Sequence, residues 1–486
     1  MLHPTSFLPG FSSRTGASGS HSTPPPSSPI APLQALWGEW LQPIIHQAIP
    51  KAGPGSRHRL WPAPLLFWAF LTQVLNPATA CREIVRQIAA WAKLSAPQRE
   101  ASQSDSAYCQ ARSTLPVKFF LKIVLALARR LQTLGSLRWC DFEVFIVDAC
   151  TLSAPDTAKN QARWPQPTTQ KPGCGFPQIR LLSLFSLATG ALLRIKMGAR
   201  DQSEQRLFAR LWHYLPKGSL ALGDRNFCSF VNVAGLRLRQ VQSVFRLHAT
   251  RSHDLRKGKR LGKNDRLMTW TKPRYCPSYL SPVLFALLPE SLSIRVVRRA
   301  VTLPGFRTRR ICLATTLTDP TQYSPEQLAQ LYRQRWRIEL AFRCIKTILR
   351  LEHLRCKTPK TVYKEILVHW AAYNLVRHVL WTAGQLHEVD PQRLSFKGAL
   401  DTVRHYSCAL EIFRRHRRKA NKVLSKMYYQ IARDPVPDRP DRVEPRAVKA
   451  RPKAYPVLSK PRHQMKVIPH ANYVYAKAAK LRRNLS

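Results

Sequence analysis

Two aspartates follow short runs of residues that favour β-strands. Asp148 comes directly after the run FEVFIV, and Asp224 comes directly after the run SLALG. Carboxylates at the carboxyl ends of neighbouring strands point into the crevice where α/β sheets bind ligands. Taken singly, an aspartate in such a position is more often a turn or cap residue. The pair therefore becomes a candidate site only together with further groups.

A third acid, Glu339, lies on a predicted helix together with Tyr332, Arg335 and Lys346. At about 100° per residue, these side chains fall within about 60° of one another on one helix face. The commoner explanation of such a face is a solvated row of i,i+4 ion pairs, such as Arg335–Glu339. The alternative is a catalytic face that supplies one carboxylate and several phosphate-binding groups.

Composition favours the catalytic explanation, because the chain is strongly basic. Its 486 residues hold 78 Lys and Arg against 27 Asp and Glu, a formal net charge of +51. Such a chain repels itself unless it meets a polyanion, which argues against an ordinary metabolic enzyme. The charge favours nucleic acid as the partner, with an acidic membrane surface as the weaker competitor.

Phosphodiester cleavage is chemistry that these residue types can perform. It needs an activated water and a stabilised leaving oxygen, which two metal ions about 4 Å apart can supply. Asp148, Asp224 and Glu339 offer the carboxylate oxygens that Mg²⁺ prefers. Arg335 and Lys346 would then bind phosphates beside the metal ions.

The four residues of the predicted helix face resemble the Y-R-E-K signature of the insertion-sequence-four family of DDE transposases. The two strand-end aspartates and Glu339 fall where that family has its catalytic triad. Two positions depart from the family pattern, because Ala149 and Asn226 stand where glycine is common. The likeness covers roughly residues 105–465, and its further similar segments are VDACTL, GDRNFCSF, HLRCKTPKTV, AAYNLVR and EPRAVKARPKAYPVL.

The resemblance implies an α/β fold with an RNase H-like core, interrupted by a β-rich insertion, and cut-and-paste DNA transposition. It implies a pair of Mg²⁺ ions, with Mn²⁺ as a substitute, held by the three carboxylates, and contacts from Tyr332, Arg335 and Lys346 to DNA phosphates. Trp270 in the insertion is the candidate for stacking on a flipped base, and a core role for it is equally consistent. The implied partners are the element's terminal inverted repeats and target DNA, bound by a dimer in the bacterial cytoplasm.

The elements that must position these residues divide the chain into six parts. Helical periodicity, strand-like runs and a stretch with nine Lys and Arg at 251–274 mark the boundaries. Ser324, followed by Pro and by Gln327, predicts the start of a helix that runs to about Arg350. The parts are a disordered leader (1–30), a helical N-terminal DNA-binding domain (31–138), the first part of the core (139–248), a basic β-rich insertion (249–320), the second part of the core (321–410) and an extended basic tail (411–486).

The remaining chemistry-bearing residues carry weaker signals. The 11 cysteines include no C-x-x-C pair, which indicates free thiols in a reducing compartment. The pairs His353/Cys356 and His405/Cys408 could in principle bind zinc, but their separation is unusual and coincidence is the better interpretation. We expect no transmembrane helix and no signal peptide.

Three functions remain open from the sequence. The first is an active transposase. The second is an inactive or host-recruited DNA-binding protein with the same fold, against which the intact acids argue. The third is a nuclease that acts outside transposition and cuts without preference for element ends.

Overall fold

The computed structural model describes residues 28–50, 61–77, 79–95, 104–135, 137–247, 258–300 and 310–437, with a few positions between 458 and 465. The predicted leader lies outside the described residues apart from its last three positions, as does most of the basic tail beyond residue 437. None of the described helices is both long enough and apolar enough to span a membrane.

The N-terminal region is helical, as the apolar periodicity predicts. Its second helix is the most apolar, with every residue from Leu66 to Leu75 buried. The fifth follows the predicted amphipathic segment and buries Phe119, Phe120 and Leu127 on one face. The helices are α1 (Ala31–Ala48), α2 (Ala63–Leu75), α3 (Cys81–Ser95), α4 (Ser106–Thr114) and α5 (Val117–Gln132).

Five strands form the first half of one mixed sheet, in the order β3-β2-β1-β4-β5. The strands β1 to β3 are antiparallel neighbours, whereas β4 and β5 run parallel to β1. The predicted hairpin around Gly190 is confirmed, and this glycine has the positive φ that its turn requires. The strands are β1 (Val144–Ser153), β2 (Gln178–Ser186), β3 (Leu192–Ala199), β4 (Leu220–Gly223) and β5 (Gln242–Arg246).

The predicted insertion is β-rich, and its strands continue the same sheet. Its last strand, β9, pairs antiparallel with β5, so that Thr315 lies opposite Val244. The sheet therefore has nine strands and continues in the order β5-β9-β8-β7-β6. The new strands are β6 (Lys259–Gly262), β7 (Asp265–Thr271), β8 (Ser291–Ala300) and β9 (Arg310–Thr315).

Short helices connect the strands, and long helices cover the core after the insertion. The connecting helices are α6 (Ala158–Arg163), α7 (Glu204–Ala209), α8 (Phe230–Leu238) and α9 (Pro282–Ala286). The later helices are α10 (Pro325–Gln334), α11 (Arg337–Arg343), α12 (Pro359–Leu386), α13 (Phe396–Ile412) and α14 (Arg417–Ala432).

The longest helix, α12, anchors the sheet through polar contacts of the AAYNLVR segment. Asn374 accepts a hydrogen bond from the backbone N–H of Leu192 at 3.0 Å, and it donates to the carbonyl of the same residue at 2.9 Å. The Tyr373 hydroxyl donates to the carbonyl of Gly190 at 2.8 Å. Residues of this segment thus hold the β2–β3 hairpin in place.

The prediction of one continuous helix from Ser324 to Arg350 is wrong. Its start is confirmed, because Ser324 and Gln327 form a reciprocal capping box. The helix then tightens, since Arg335 N bonds to Tyr332 O in an i to i−3 pattern at 3.1 Å. It later widens into a π-helical turn over Cys344–Ile348.

The prediction of an extended tail from residue 411 is wrong for its first part, because α14 lies there. Although this helix is strongly basic, it also carries a short stripe of apolar residues. Met427, Ile431 and Ala432 are buried at helical spacing against the neighbouring helices. Burial of this stripe favours a helix despite the surrounding charge.

Candidate active site

The structure places Asp148 and Asp224 at the end of one parallel strand pair. The prediction that the first strand ends at Asp148 is wrong, because β1 continues to Ser153 along its antiparallel partner β2. Only the pairing of β1 with β4 ends at this point, and its last paired residues are Val147 and Gly223. Asp148 and Asp224 each follow these residues directly, and the two carboxylates therefore share one edge.

The Asp148 carboxyl lies in a half-closed environment, with 18% of its side chain exposed. Its Oδ1 accepts a hydrogen bond from the backbone N–H of Ala149 at 2.8 Å. Burial raises the pKa of Asp148 to about 7, and the charges of Asp224 and Glu204 act in the same direction. The hydrogen bond from Ala149 and the positive charge of Arg335 oppose this rise.

Asp224 caps the turn that follows it, as the simpler interpretation of a strand-end aspartate predicts. Its Oδ1 accepts a hydrogen bond from Asn226 N at 2.9 Å. The Asn226 side chain, at one of the two positions that depart from the family pattern, donates to Glu204 Oε2 at 3.1 Å. Glu204 also lies 3.8 Å from Arg180 Nε.

Sequence reasoning missed Glu204 as a fourth acid of this region. It is the first residue of α7, and its charge acts on Asp148. No spacing rule connects it with either aspartate, since a separate helix start positions it. Its only local signal is the preceding Ser203, which caps α7.

Arg335 bridges two of the three predicted catalytic carboxylates. Its Nη1 lies 3.2 Å from Asp148 Oδ2, and its Nη2 lies 2.8 Å from Glu339 Oε1. The i,i+4 ion pair of the simpler interpretation is therefore present, and it is partly shielded from solvent, because Arg335 is 18% exposed although Glu339 is 38% exposed. The guanidinium occupies a position between two carboxylates where a positive charge is favourable.

The other two members of the predicted helix face lie to either side of this bridge. Tyr332 is buried and lies beneath the guanidinium of Arg335, whose Cζ is 5.9 Å from the ring centroid. Burial raises the pKa of Tyr332 to about 12. Lys346 lies within the widened turn and close to Cys150. Burial raises the pKa of Cys150, whereas the charge of Lys346 lowers it. Cys150 is two positions beyond Asp148 and on the same face of β1.

Two tryptophans, one in the insertion and one beside Arg335, differ in exposure. Trp270, the candidate for base stacking, lies on β7 with 9% exposure and packs in the hydrophobic core. The alternative core role is therefore the one that its burial favours. Trp336, which sequence reasoning did not select, directly follows Arg335 and is 46% exposed.

The donor set of the site fits a hard cation. Its predicted ligands are carboxylates, the oxygen donors that Mg²⁺ binds, and two of them already enclose the cationic Arg335. Among the described residues, no three His, Cys, Asp or Glu side chains lie close enough to hold one ion together. The His353/Cys356 pair lies elsewhere, and the Cys356 sulfur accepts a hydrogen bond from Arg112.

Comparisons with known proteins identify the family of the chain. Residues 139–375 match the family described as the transposase DDE domain. The chain is 26% identical over 444 residues to the transposase InsG of insertion sequence element IS4 from Escherichia coli K12, covering 88% of this chain and 95% of that protein. The transposase of insertion sequence element IS421 from Escherichia coli is 39% identical over 70 residues, 14% of this chain and 19% of that protein.

A solved structure, the piggyBac transposase synaptic complex with hairpin DNA, aligns with 82% of this chain and 85% of that chain. The TM-score is 0.42 and the identity 9%, a likeness too low to inform the site.

The matched region 139–375 begins just before β1 and ends within α12. It therefore contains Asp148, Asp224, the whole insertion and Glu339. The similarity to the IS4 transposase extends over almost the full length of both chains. This chain belongs to the insertion-sequence-four family of DDE transposases and has an RNase H-like core.

Proposed function

We propose that this protein cleaves DNA at the ends of its insertion element by hydrolysis and joins the freed 3′ ends to target DNA. Asp148, Asp224 and Glu339 are the proposed catalytic residues. The observation that carries the proposal is the bridge that Arg335 forms between Asp148 and the helix-borne Glu339, with Asp224 directly after the paired strand β4. The three acids come from distant parts of the chain, and an ordinary surface ion pair would not require this convergence.

The same carboxylates are the proposed ligands of two Mg²⁺ ions, which would supply an activated water and stabilise the leaving oxygen. Arg335 neutralises Asp148 and Glu339 when no other cation does so. Asp148, with its pKa raised to about 7, can hold a proton near neutral pH and release it when a positive charge approaches.

DNA binding is proposed to use the strong positive charge of the chain. Lys346 and Arg335 would contact phosphates near the cleaved bond, and Tyr332 would support Arg335 from beneath. We propose that the helical region 31–138 binds the terminal repeats and that two copies hold two ends together. The remaining Lys and Arg should make the affinity fall steeply as salt rises.

The test is cleavage of DNA that carries the element's terminal repeats, with a shuffled sequence as control DNA. Glu339→Gln should abolish Mg²⁺-dependent cleavage while retaining repeat binding. Glu352→Gln is the matched control, because Glu352 is an exposed carboxylate later in the same segment. Equal cleavage by Glu339→Gln and the parent would contradict the assignment of the triad.

The two alternatives give different results in the same assay. An inactive DNA-binding protein would bind the repeats and cleave nothing with either Mg²⁺ or Mn²⁺. A nuclease outside transposition would cleave the shuffled DNA equally well and would join no 3′ ends to a target.

A further inference from the structure

Three cysteines from separate parts of the chain surround one buried arginine, far from the carboxylates. Cys81 is the first residue of α3, Cys109 lies within α4, and Cys356 lies just before α12. Arg112 donates from Nη1 to the Cys81 sulfur at 3.2 Å and from Nη2 to the Cys356 sulfur at 3.0 Å. Both Nη groups of one guanidinium therefore donate hydrogen bonds to sulfur atoms.

Arg112 is held rigidly in this position. Its Cζ lies 3.8 Å from the centroid of the Phe70 ring, and only 7% of the residue is exposed. Burial disfavours the charged form, but the neighbouring Cys356, Tyr108 and Cys81 raise the pKa of Arg112. A buried guanidinium needs a negative partner. Here the nearest hydrogen-bond acceptors of its two arms are thiol groups.

The surroundings of Cys81 favour its thiolate form. Gln73 Nε2 lies 3.5 Å from its sulfur as a further donor. The hydrogen bond from Cys109, together with Arg112 and Gln73, lowers the pKa of Cys81 to about 5, although burial and the charge of Asp105 oppose this. These donors therefore favour the thiolate of Cys81 over the thiol, compared with an ordinary cysteine.

Cys109 provides an accessible second thiol. It is exposed, and it is the residue that shares a hydrogen bond with Cys81. The hydrogen bond with Cys81 raises the pKa of Cys109, and partial burial acts in the same direction, so the two thiols differ in character. One is a reactive thiolate and the other a protonated, solvent-facing partner, which is the usual composition of an oxidisable pair.

We propose that Cys81 and Cys109 form a peroxide-sensitive thiol pair, held in a reactive arrangement by Arg112. The Cys81 thiolate attacks one oxygen of a hydroperoxide and the O–O bond breaks, which forms a sulfenic acid and releases the second oxygen as water after protonation. The Cys109 sulfur then attacks the Cys81 sulfur, an S–S bond forms, and the S–OH oxygen leaves as water. Two thiols lose two electrons, and one hydrogen peroxide becomes two water molecules.

The pair is placed where oxidation would reach the catalytic core. Lys364 on α12 donates from Nζ to the carbonyls of Arg112 and Ser113 at 2.6 and 2.8 Å. Arg355 Nη1 donates to the carbonyl of Thr79 at 2.7 Å. These contacts join the end of α4 to α12, and the residues just before α3 to the segment between Lys346 and α12. Loss of the Cys81 negative charge would leave one arm of Arg112 without its acceptor at this junction.

The first test measures alkylation of the reduced full-length protein by iodoacetamide as a function of pH. At pH 6, Cys81 should react about 10-fold faster than a cysteine in an unstructured peptide. This ratio combines the larger thiolate fraction with the lower intrinsic reactivity of a low-pKa sulfur. Its reaction rate should fall below half only near pH 5. Equal rates for Cys81 and the peptide would overturn the proposal, and this measurement requires no variant.

The second test treats the reduced protein with one equivalent of hydrogen peroxide and identifies the linked peptides by mass spectrometry. The parent and the control Cys276→Ser, which removes an exposed cysteine of the insertion, should both yield the Cys81–Cys109 link. Cys109→Ser should instead accumulate a sulfenic acid on Cys81 that dimedone traps. Oxidation of Cys276 before Cys81, or absence of the link in the parent, would overturn the proposal. Neither test depends on the protein's activity on DNA.

Discussion

Replacing a proposed catalytic aspartate should make the metal-free protein more stable above neutral pH. Asp148 has an ordinary pKa of 3.8 when exposed, and in the folded chain burial raises it to about 7. The folded protein therefore disfavours the ionised carboxylate, even though Arg335 partly compensates it. Asp148→Asn removes this charge and keeps an oxygen that can accept the hydrogen bond from Ala149.

The sign and size of the effect follow from the difference between the two pKa values. Between pH 3.8 and 7, the folded chain holds a proton that the unfolded chain has lost. The stability that protonated Asp148 contributes is thus complete below pH 3.8 and is lost as the pH rises through 7. The whole pKa difference between the unfolded and the folded chain corresponds to about 4 kcal/mol of folding stability. About 3 kcal/mol of this stability is lost between pH 5 and pH 8. The free energy of unfolding of Asp148→Asn should not show this loss.

The assay is urea denaturation of the parent and the variant at pH 5 and pH 8, both in the presence of a chelator. The free energy of unfolding of Asp148→Asn should exceed that of the parent at pH 8, and the advantage should shrink by about 3 kcal/mol at pH 5. Asp201→Asn is the control, because Asp201 is exposed and lies outside the site. Adding Mg²⁺ should stabilise the parent and leave Asp148→Asn unchanged. A variant that is less stable than the parent at pH 8 would refute the reasoning.

Three further predictions concern Arg335, the buried pair Arg295–Asp265 and Trp270. Arg335→Lys cannot contact both carboxylates as the guanidinium does, and it should lower the rate of DNA cleavage about 10-fold or more. Binding to the repeats in gel-shift assays should not change. Equal cleavage by Arg335→Lys and the parent would contradict a role for the bridge. Arg295→Met should cost about 3–5 kcal/mol in urea denaturation, because it leaves Asp265 buried and unpaired, and adding Asp265→Leu should recover most of this loss. Trp270→Ala should lower the free energy of unfolding by about 3–5 kcal/mol. Trp270→Phe should retain binding to the repeats. If Trp270→Ala is stable but does not bind the repeats, the result would favour the stacking role.

Local sequence signals predicted the start of α10, which leads to Glu339, and the β2–β3 hairpin. Ser324, Pro325 and Gln327 satisfy the capping geometry among themselves, so no distant contact is needed to predict it. The hairpin follows from two apolar runs that flank Gly190. The β-rich character of the insertion follows from alternation in the same way. These features are short-range, and periodicity and turn chemistry describe them well.

The features that sequence reasoning missed depend on distant partners. The run around Arg335 and Trp336 contains no Pro or Gly that would announce a break in the helix. Likewise, the continuation of β1 beyond Asp148 depends on its pairing with all of β2, a segment that begins 30 residues later at Gln178. Strand β1 pairs with β2 along its whole length but with β4 along only part of it. No local feature of its sequence indicates this difference.

The buried ion pair of Arg295 shows how the insertion can influence the proposed site. Arg295 contacts Asp265 Oδ2 at 2.6 Å, and its Nη1 also donates to the carbonyl of Tyr323 at 2.7 Å. Tyr323 directly precedes Ser324, the cap of α10, so strands β7 and β8 hold the start of the segment that leads to Glu339. Side chains of the insertion therefore fix where the glutamate segment begins, in addition to extending the sheet.

The bridge at Arg335 gives the tightened helix a physical reason. Burial and the charge of Asp224 raise the cost of ionising Asp148, and the chain offsets this cost with a guanidinium and with partial protonation. An unbroken α-helix would keep Arg335 and Glu339 on one row, but the i to i−3 hydrogen bonds at Arg335 turn its side chain so that it reaches β1 as well. Phosphate oxygens bind guanidinium in the same two-armed manner as carboxylates. A DNA phosphate that approached Arg335 would therefore compete with Asp148 and Glu339 for the same donors, and it would free both carboxylates at the moment when the proposed ions require them.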